Sequence, residues 1–108
     1  MNVDTQSRGD WRIVTVDGEL DLATSEPFRE ALLPPDGTFR VAVDLRNVTF
    51  MDSSALGVIV MAMKRARERG GDLVLIGPTG SPRKVLSITA LDQVIRIVED
   101  PSALEPVH

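Results

Sequence analysis

The chain has 108 residues, of which 43% are hydrophobic and 26% are charged, and its formal net charge is −4. This length predicts one small domain over residues 1–108, large enough to bury its own core. Cysteine is absent and the one histidine, His108, is the last residue, which argues against disulfides, thiol nucleophiles and histidine-based catalysis. The acidic balance disfavours binding to nucleic acid or to anionic membrane. We expect a binding or regulatory module without a metal or cofactor, and not an enzyme.

The sequence carries no signal for a membrane or for export. Its longest apolar stretch, Ala55–Met63, is shorter than the roughly 17–25 residues that a membrane-spanning helix needs. The N-terminal residues are polar and lack the apolar core of a signal peptide. We therefore expect a cytoplasmic protein.

The N-terminal segment predicts a hairpin. Residues 1–9 contain a weak edge strand near 2–6, and Arg8-Gly9-Asp10 reads as a turn and not as an adhesion motif. Trp11–Val16 then predicts a strand, because its apolar residues alternate between two faces.

A helix and a second strand follow the hairpin. Thr24 or Ser25 is suited to cap a helix that runs to Leu33, and Pro34–Gly37 would end it. Arg40–Leu45 is a β-branched run of the kind that is buried inside a sheet.

The second half alternates helix and strand. After a short segment at Val48–Asp52, apolar residues spaced by three and four predict a helix over 54–69. Further strands are predicted at 72–76 and 94–98, with a helix over 81–89 between them and a proline-flanked tail over 99–108. The predicted class is α/β: a mostly parallel sheet of four to five strands, with an N-terminal antiparallel hairpin and crossover helices.

The most informative local feature is Asp52-Ser53-Ser54, where a buried strand leads into an amphipathic helix. Asp52 and Ser53 are both good caps for the first free N–H groups of that helix, and capping alone would explain them. A helix N-terminus also favours an anion, so a phosphoryl group on Ser53 would be tolerated there. Both interpretations remain open on the residues alone.

Two motifs resemble those of a known family. Phe50–Gly57, FMDSSALG, resembles the signature of the STAS domain, the fold of bacterial anti-sigma factor antagonists. Gly18–Asp21, GELD, resembles a second element that the family carries after its second strand. The resemblance implies a STAS-like fold across almost the whole chain. Two departures are Ala55, where the family has glycine and a methyl group leaves less room for a partner backbone, and the short C-terminal tail.

The resemblance also implies a switching cycle. The unmodified protein would bind an anti-sigma factor that is an ATP-dependent serine kinase, and so free a sigma factor. The kinase would phosphorylate Ser53 and release the product, which a metal-dependent serine phosphatase would reset. Partner contacts are implied at Asp21, Asp52, Ser53 and Ser54. The alternative is a STAS scaffold or sensor subunit of a signalling assembly or transporter, not controlled by Ser53.

Two other signals have simpler explanations. The cations among residues 64–69 fall in the last turns of a predicted helix, where they complement the helix dipole, although they could also dock an acidic partner. Gly77–Lys84 is glycine-rich but does not fit the spacing of a phosphate-binding loop, and it predicts a strand-to-helix turn.

Overall fold

The structure, a computed structural model, describes residues 2–33 and 40–104. Its strands and helices in chain order are β1 Asn2–Arg8, β2 Trp11–Leu20, α1 Ser25–Leu32, β3 Arg40–Met51, α2 Ser53–Glu68, β4 Asp72–Ile76, α3 Gly80–Ile88 and β5 Arg96–Val98. Short 3₁₀ turns span Leu91–Gln93 and Pro101–Ala103. The predicted helix-ending run Pro34–Gly37 and His108 lie outside the described residues. None of the described helices is both long and apolar enough to cross a membrane.

The five strands form one sheet in the order β1-β2-β3-β4-β5. The first pair is antiparallel and the other three pairs are parallel. Each pair of neighbouring parallel strands is connected by a helix, and each connection leads to the next strand in the same direction across the sheet. Right-handed crossovers of this kind place all three helices on one face of the sheet. The predicted α/β class, with its N-terminal hairpin and crossover helices, is confirmed.

The hairpin turn consists of Gly9 and Asp10. Gly9 has φ +61°, the left-handed conformation that a type II′ hairpin turn requires at its first central residue. The prediction that Arg8-Gly9-Asp10 is a turn is therefore confirmed.

Apolar side chains fill both faces of the sheet. The larger core lies between the sheet and the helices and includes Val14, Val43, Leu75, Phe28 and Ile59, all fully buried. A smaller cluster covers the opposite face, and its members are Trp11, Ile13, Ala42, Val74, Ile76, Val98 and Leu104. Strand β2 contributes to both, because alternate side chains of a strand point to opposite faces.

Two strands are longer than the sequence pattern indicated. β2 continues to Leu20, so the GEL of the GELD motif is strand and only Asp21 lies beyond it. β3 is one strand of 12 residues and not two segments. Its pairing with β2 contains two register shifts, so its inward residues Leu45, Val48 and Met51 are three apart. That spacing hides a strand from a search for period two.

The last strand is shorter than predicted. β5 begins at Arg96, because Val94 and Ile95 still hydrogen-bond back to Leu91 in the preceding 3₁₀ turn. The helix boundaries at Ser25, Ser53 and Gly80 agree with the predicted starts to within one residue.

Candidate functional site at Ser53

The site forms where two neighbouring parallel strands end. Leu20 of β2 pairs with Met51 of β3, and the amide of Asp52 donates to the Leu20 carbonyl over 3.1 Å. The turn that begins at Asp21 therefore lies beside the start of α2. In this way the sheet register brings together the two motifs that the sequence singled out.

The Asp52 carboxylate joins these two segments. Its Oδ1 accepts hydrogen bonds from the amides of Ser54 at 2.9 Å and Ala55 at 3.2 Å, which caps α2. Its Oδ2 accepts from the amide of Leu22 at 3.2 Å, in the turn after β2. The predicted capping role is confirmed, and the bond to Leu22 is a second role that the sequence did not reveal.

These bonds favour the charged form of Asp52. Partial removal from water raises the pKa of its carboxyl. Hydrogen bonds from Ala55, Ser54 and Leu22 lower the pKa by more than this, so the pKa lies below its ordinary value. Asp52 is therefore a stable anion whose oxygens are engaged by amides. A carboxylate held this way is suited to organising the site and poorly suited to accepting a proton from Ser53.

Ser53 is the first residue of α2 and its side chain is exposed. Within residues 2–33 and 40–104, its hydroxyl makes no hydrogen bond. Ser54, the next residue, is half-buried. Of the two serines, Ser53 is therefore the one whose oxygen is open to a reagent approaching from outside, and it stands at the helix end that favours added negative charge.

Asp21 organises the neighbouring turn. Its Oδ1 accepts from the amide of Thr24 at 3.1 Å, and its own amide donates to the Thr24 hydroxyl oxygen at 2.9 Å. Thr24 precedes α1 but makes no side-chain cap bond to that helix, so its side chain serves the turn instead. Asp21 is half-buried, and its turn lies beside the start of α2.

Leu22 is a site residue that the sequence did not single out. The residue is 76% exposed, although its backbone amide is bonded to Asp52. An apolar residue between Asp21 and Ala23, in a run of turn-forming residues, was the available signal. The sequence alone did not show that this turn lies beside Asp52.

Ala55 does not crowd the site. The residue is fully buried and belongs to the core between α2 and the sheet. Its methyl group therefore occupies the protein interior and not the approach to Ser53. The methyl group itself takes no room from the surface around Ser53, and the effect of Ala55 on kinase docking stays a prediction.

A second polar cluster lies on the far side of β3 from the helices. The Asp44 side chain is only 6% exposed, and it accepts from Arg46 Nη2 at 2.7 Å and from Arg46 Nε at 3.0 Å. Hydrogen bonding to Asp44 raises the pKa of Arg46 further above its ordinary value, against the opposing effect of burial. Arg46 also lies 3.9 Å from Asp100. The buried Asp44 carboxylate is paired with Arg46, so the cluster has the character of a structural ion pair.

Arg67, one of the cations near the end of α2, and the glycine-rich segment after β4 both have structural roles. Arg67, in the last turn of α2, donates from Nε to Asp72 at 2.9 Å and from Nη2 to the Val94 carbonyl at 2.7 Å. Residues 77–79 form the turn between β4 and α3, and residues 80–84 are the first residues of α3, so the predicted strand-to-helix transition is confirmed.

Comparison with known families accounts for this arrangement. The family model described as the STAS domain matches residues 2–103. The chain belongs to the STAS domain family. The match covers every described strand and helix, together with both motifs at the site.

Known relatives extend the comparison to whole proteins. An anti-sigma-B factor antagonist of Staphylococcus epidermidis is 33% identical over 101 residues, which is 92% of this chain and 94% of the relative. The crystal structure of a candidate anti-sigma factor antagonist from Thermotoga maritima superposes with a TM-score of 0.86 at 27% identity, over 93% of this chain and 88% of that one. The Bacillus cell fate determinant SpoIIAA in its phosphorylated form shares the fold, with a TM-score of 0.75 at 21% identity over 94% of this chain and 96% of that chain.

Proposed function

We propose that this protein is an anti-sigma factor antagonist that is switched off by phosphorylation of Ser53. The observation that carries the proposal is the exposed and unbonded Ser53 hydroxyl at the start of α2. The near full-length similarity to an anti-sigma-B factor antagonist supports the same assignment. In its unmodified form the protein binds an anti-sigma factor with serine kinase activity, in the cytoplasm, and so releases a sigma factor.

The modification is a phosphoryl transfer from ATP. Ser53 Oγ forms a bond to the γ-phosphorus while the bond from that phosphorus to the β-phosphate oxygen breaks, and ADP leaves. The hydroxyl proton passes to a base of the kinase, since the oxygens of Asp52 are already engaged by amides. A serine phosphatase resets the cycle by adding water to phosphorus, which returns the hydroxyl and inorganic phosphate.

The fold tolerates this modification. Phosphorylation of Ser53 breaks no hydrogen bond among the described residues, and the phosphoryl group lies at a helix N-terminus where negative charge is favourable. The partner experiences a large change, because the net charge falls from −4 to about −6 with the new charge at one point of the docking surface. The switch therefore acts on binding and leaves the fold intact.

The remaining predicted contacts surround that point. Asp21, Asp52 and Ser54 all lie in the two segments joined by the sheet register. We assign them to the surface that contacts the anti-sigma factor, with Asp52 and Asp21 also holding the two segments in shape.

The experiment is to incubate the protein with its anti-sigma factor kinase and ATP, and to map the modified residue by mass spectrometry. We expect one phosphate on Ser53, none on Ser53→Ala, and normal labelling of Ser87→Ala, an exposed serine on α3 that serves as the matched control. Equal labelling of Ser53→Ala and wild type would show that the assignment is wrong. Stable partner binding that ignores the state of Ser53 would favour the alternative, a STAS scaffold in a larger assembly.

A further inference from the structure

Within residues 2–33 and 40–104, the Asp52 carboxylate makes the one side-chain hydrogen bond that joins the start of α2 to the turn after β2. One oxygen holds the start of α2 through Ser54 and Ala55, and the other holds the Leu22 amide at 3.2 Å. Because a carboxylate is rigid and planar, a contact at one oxygen fixes the position of the other. The turn after β2 is thereby held relative to Ser53.

The turn itself is well braced. Thr24 and Asp21 exchange hydrogen bonds through backbone and side chain, and the Ser25 hydroxyl donates to the Leu22 carbonyl at 3.0 Å. Both the amide and the carbonyl of Leu22 are therefore bonded, while the residue as a whole is 76% exposed. A large apolar group on fixed backbone beside Ser53 offers contact area to a partner, and little backbone entropy remains to be lost when the partner docks.

We propose that Leu22 is an apolar contact by which the kinase recognises this protein, and that Asp52 is the positioning residue that holds Leu22 beside Ser53. This inference rests on the proposed function and names a recognition element of the same site. Leu22 acts by touching the kinase. Asp52 acts through Leu22 and takes no part in the transfer of the phosphoryl group.

Asp52→Asn separates the two roles of the carboxylate. Its amide oxygen can still cap Ser54 and Ala55, which retains two of the three bonds. The NH₂ group then faces the Leu22 amide, so two donors meet and the turn is released. Asp52→Ser gives a second route to the same result, because serine is a good cap but its side chain is too short to reach both segments.

The test is a double-mutant cycle on the phosphorylation kinetics of Ser53, with the serine kinase that labels the wild-type protein. We expect Leu22→Ala and Asp52→Asn each to raise KM by about tenfold and to change kcat by less than about twofold. The double variant should resemble Leu22→Ala alone, because Asp52 has no further effect once the leucine is gone. Ile88→Ala is the matched control, since Ile88 is 73% exposed on α3, and its KM should equal that of wild type.

The outcomes distinguish failure of this inference from failure of the proposed function. Ser53 labelling with an unchanged KM for Leu22→Ala overturns the inference and leaves the proposed function standing. A roughly hundredfold rise in the double variant also overturns it, since the two residues would then act independently. A loss of kcat in Asp52→Asn would assign that residue to the chemistry instead. Absence of Ser53 labelling in the wild-type protein overturns both.

Discussion

Two aspartates, one within β3 and one directly after it, have different roles in this molecule. Asp44 lies inside β3, nearly buried, and its charge is met by the guanidinium of Arg46. Asp52 follows the end of β3, half-buried, and its charge is met by three backbone amides from two segments. Both carboxylates are satisfied. They differ in whether the neighbouring groups are exposed to a binding partner.

The Asp44 region is closed. Its partner Arg46 lies across Gly77, whose missing side chain makes room for it, and further charge is supplied by Asp100. Next to Asp52, by contrast, the Ser53 hydroxyl is unbonded among the described residues and the Leu22 side chain is mostly exposed. The first arrangement stabilises the second face of the sheet. The second leaves the Ser53 hydroxyl and the Leu22 side chain facing outward, as the proposed docking site requires.

The largest effect that we expect on stability is from Arg46→Ala. It removes the cation that pairs with the nearly buried Asp44 carboxylate, although the amide of residue 46 still donates to that carboxylate. Because the Arg46 side chain is itself 45% exposed, the loss should lower the free energy of unfolding by about 2 kcal/mol. Ser53→Ala removes no hydrogen bond to any residue that the structure describes, and its stability should stay within about 0.5 kcal/mol of wild type. Urea unfolding at neutral pH measures both. Equal stability of the two variants would contradict the distinction between a closed and an open region.

A pair of glycines tests the same contrast at a smaller scale. Gly77 has φ +57° and an added Cβ would overlap Arg46 Cγ, so Gly77→Ala should destabilise the protein by at least about 1 kcal/mol. Gly57 lies in the exposed part of α2, and an added Cβ meets nothing within 4 Å. Gly57→Ala should therefore stabilise by about 1 kcal/mol. Opposite signs in thermal unfolding support the account, and two losses of similar size would refute it.

The smallest effect concerns pH and Asp52. Because its pKa is lowered in the folded protein, its contribution to stability is complete above the pKa of the unfolded chain, about 4, and is lost as the pH falls through the lower folded value. Wild type should therefore be more stable than Asp52→Asn at pH 7, and the difference should disappear in strong acid. Urea midpoints measured at several pH values check this, and a difference that is independent of pH would count against the assigned bonds.

The sequence was sufficient for most of the fold. The hairpin at Gly9, the three helices and the alternation of strands all follow from local periodicity and from turn residues. The break in β3 was misjudged because register shifts space Leu45, Val48 and Met51 by three residues. A bulge is created by the pairing of two strands, and the sequence of one strand does not display it.

The sequence indicated most residues of the candidate site but not the hydrogen bonds between them. Asp52-Ser53-Ser54 identified a capped helix start, and the family resemblance added Asp21. The bond from Asp52 to Leu22 spans 30 positions and exists because β2 and β3 end in register. Asp44 within a β-branched run was a visible anomaly, since a charge there requires a partner, and Arg46 two positions later was available on the same strand.

The most direct test of the central claim is the affinity of the protein for its anti-sigma factor kinase with Ser53 free and with Ser53 phosphorylated, measured by titration calorimetry on otherwise identical samples. We predict tight binding of the unmodified protein, at least about tenfold weaker binding of the phosphorylated form, and unfolding curves that coincide. Equal affinity of the two forms, with both samples folded, would contradict the proposal that Ser53 is the switch.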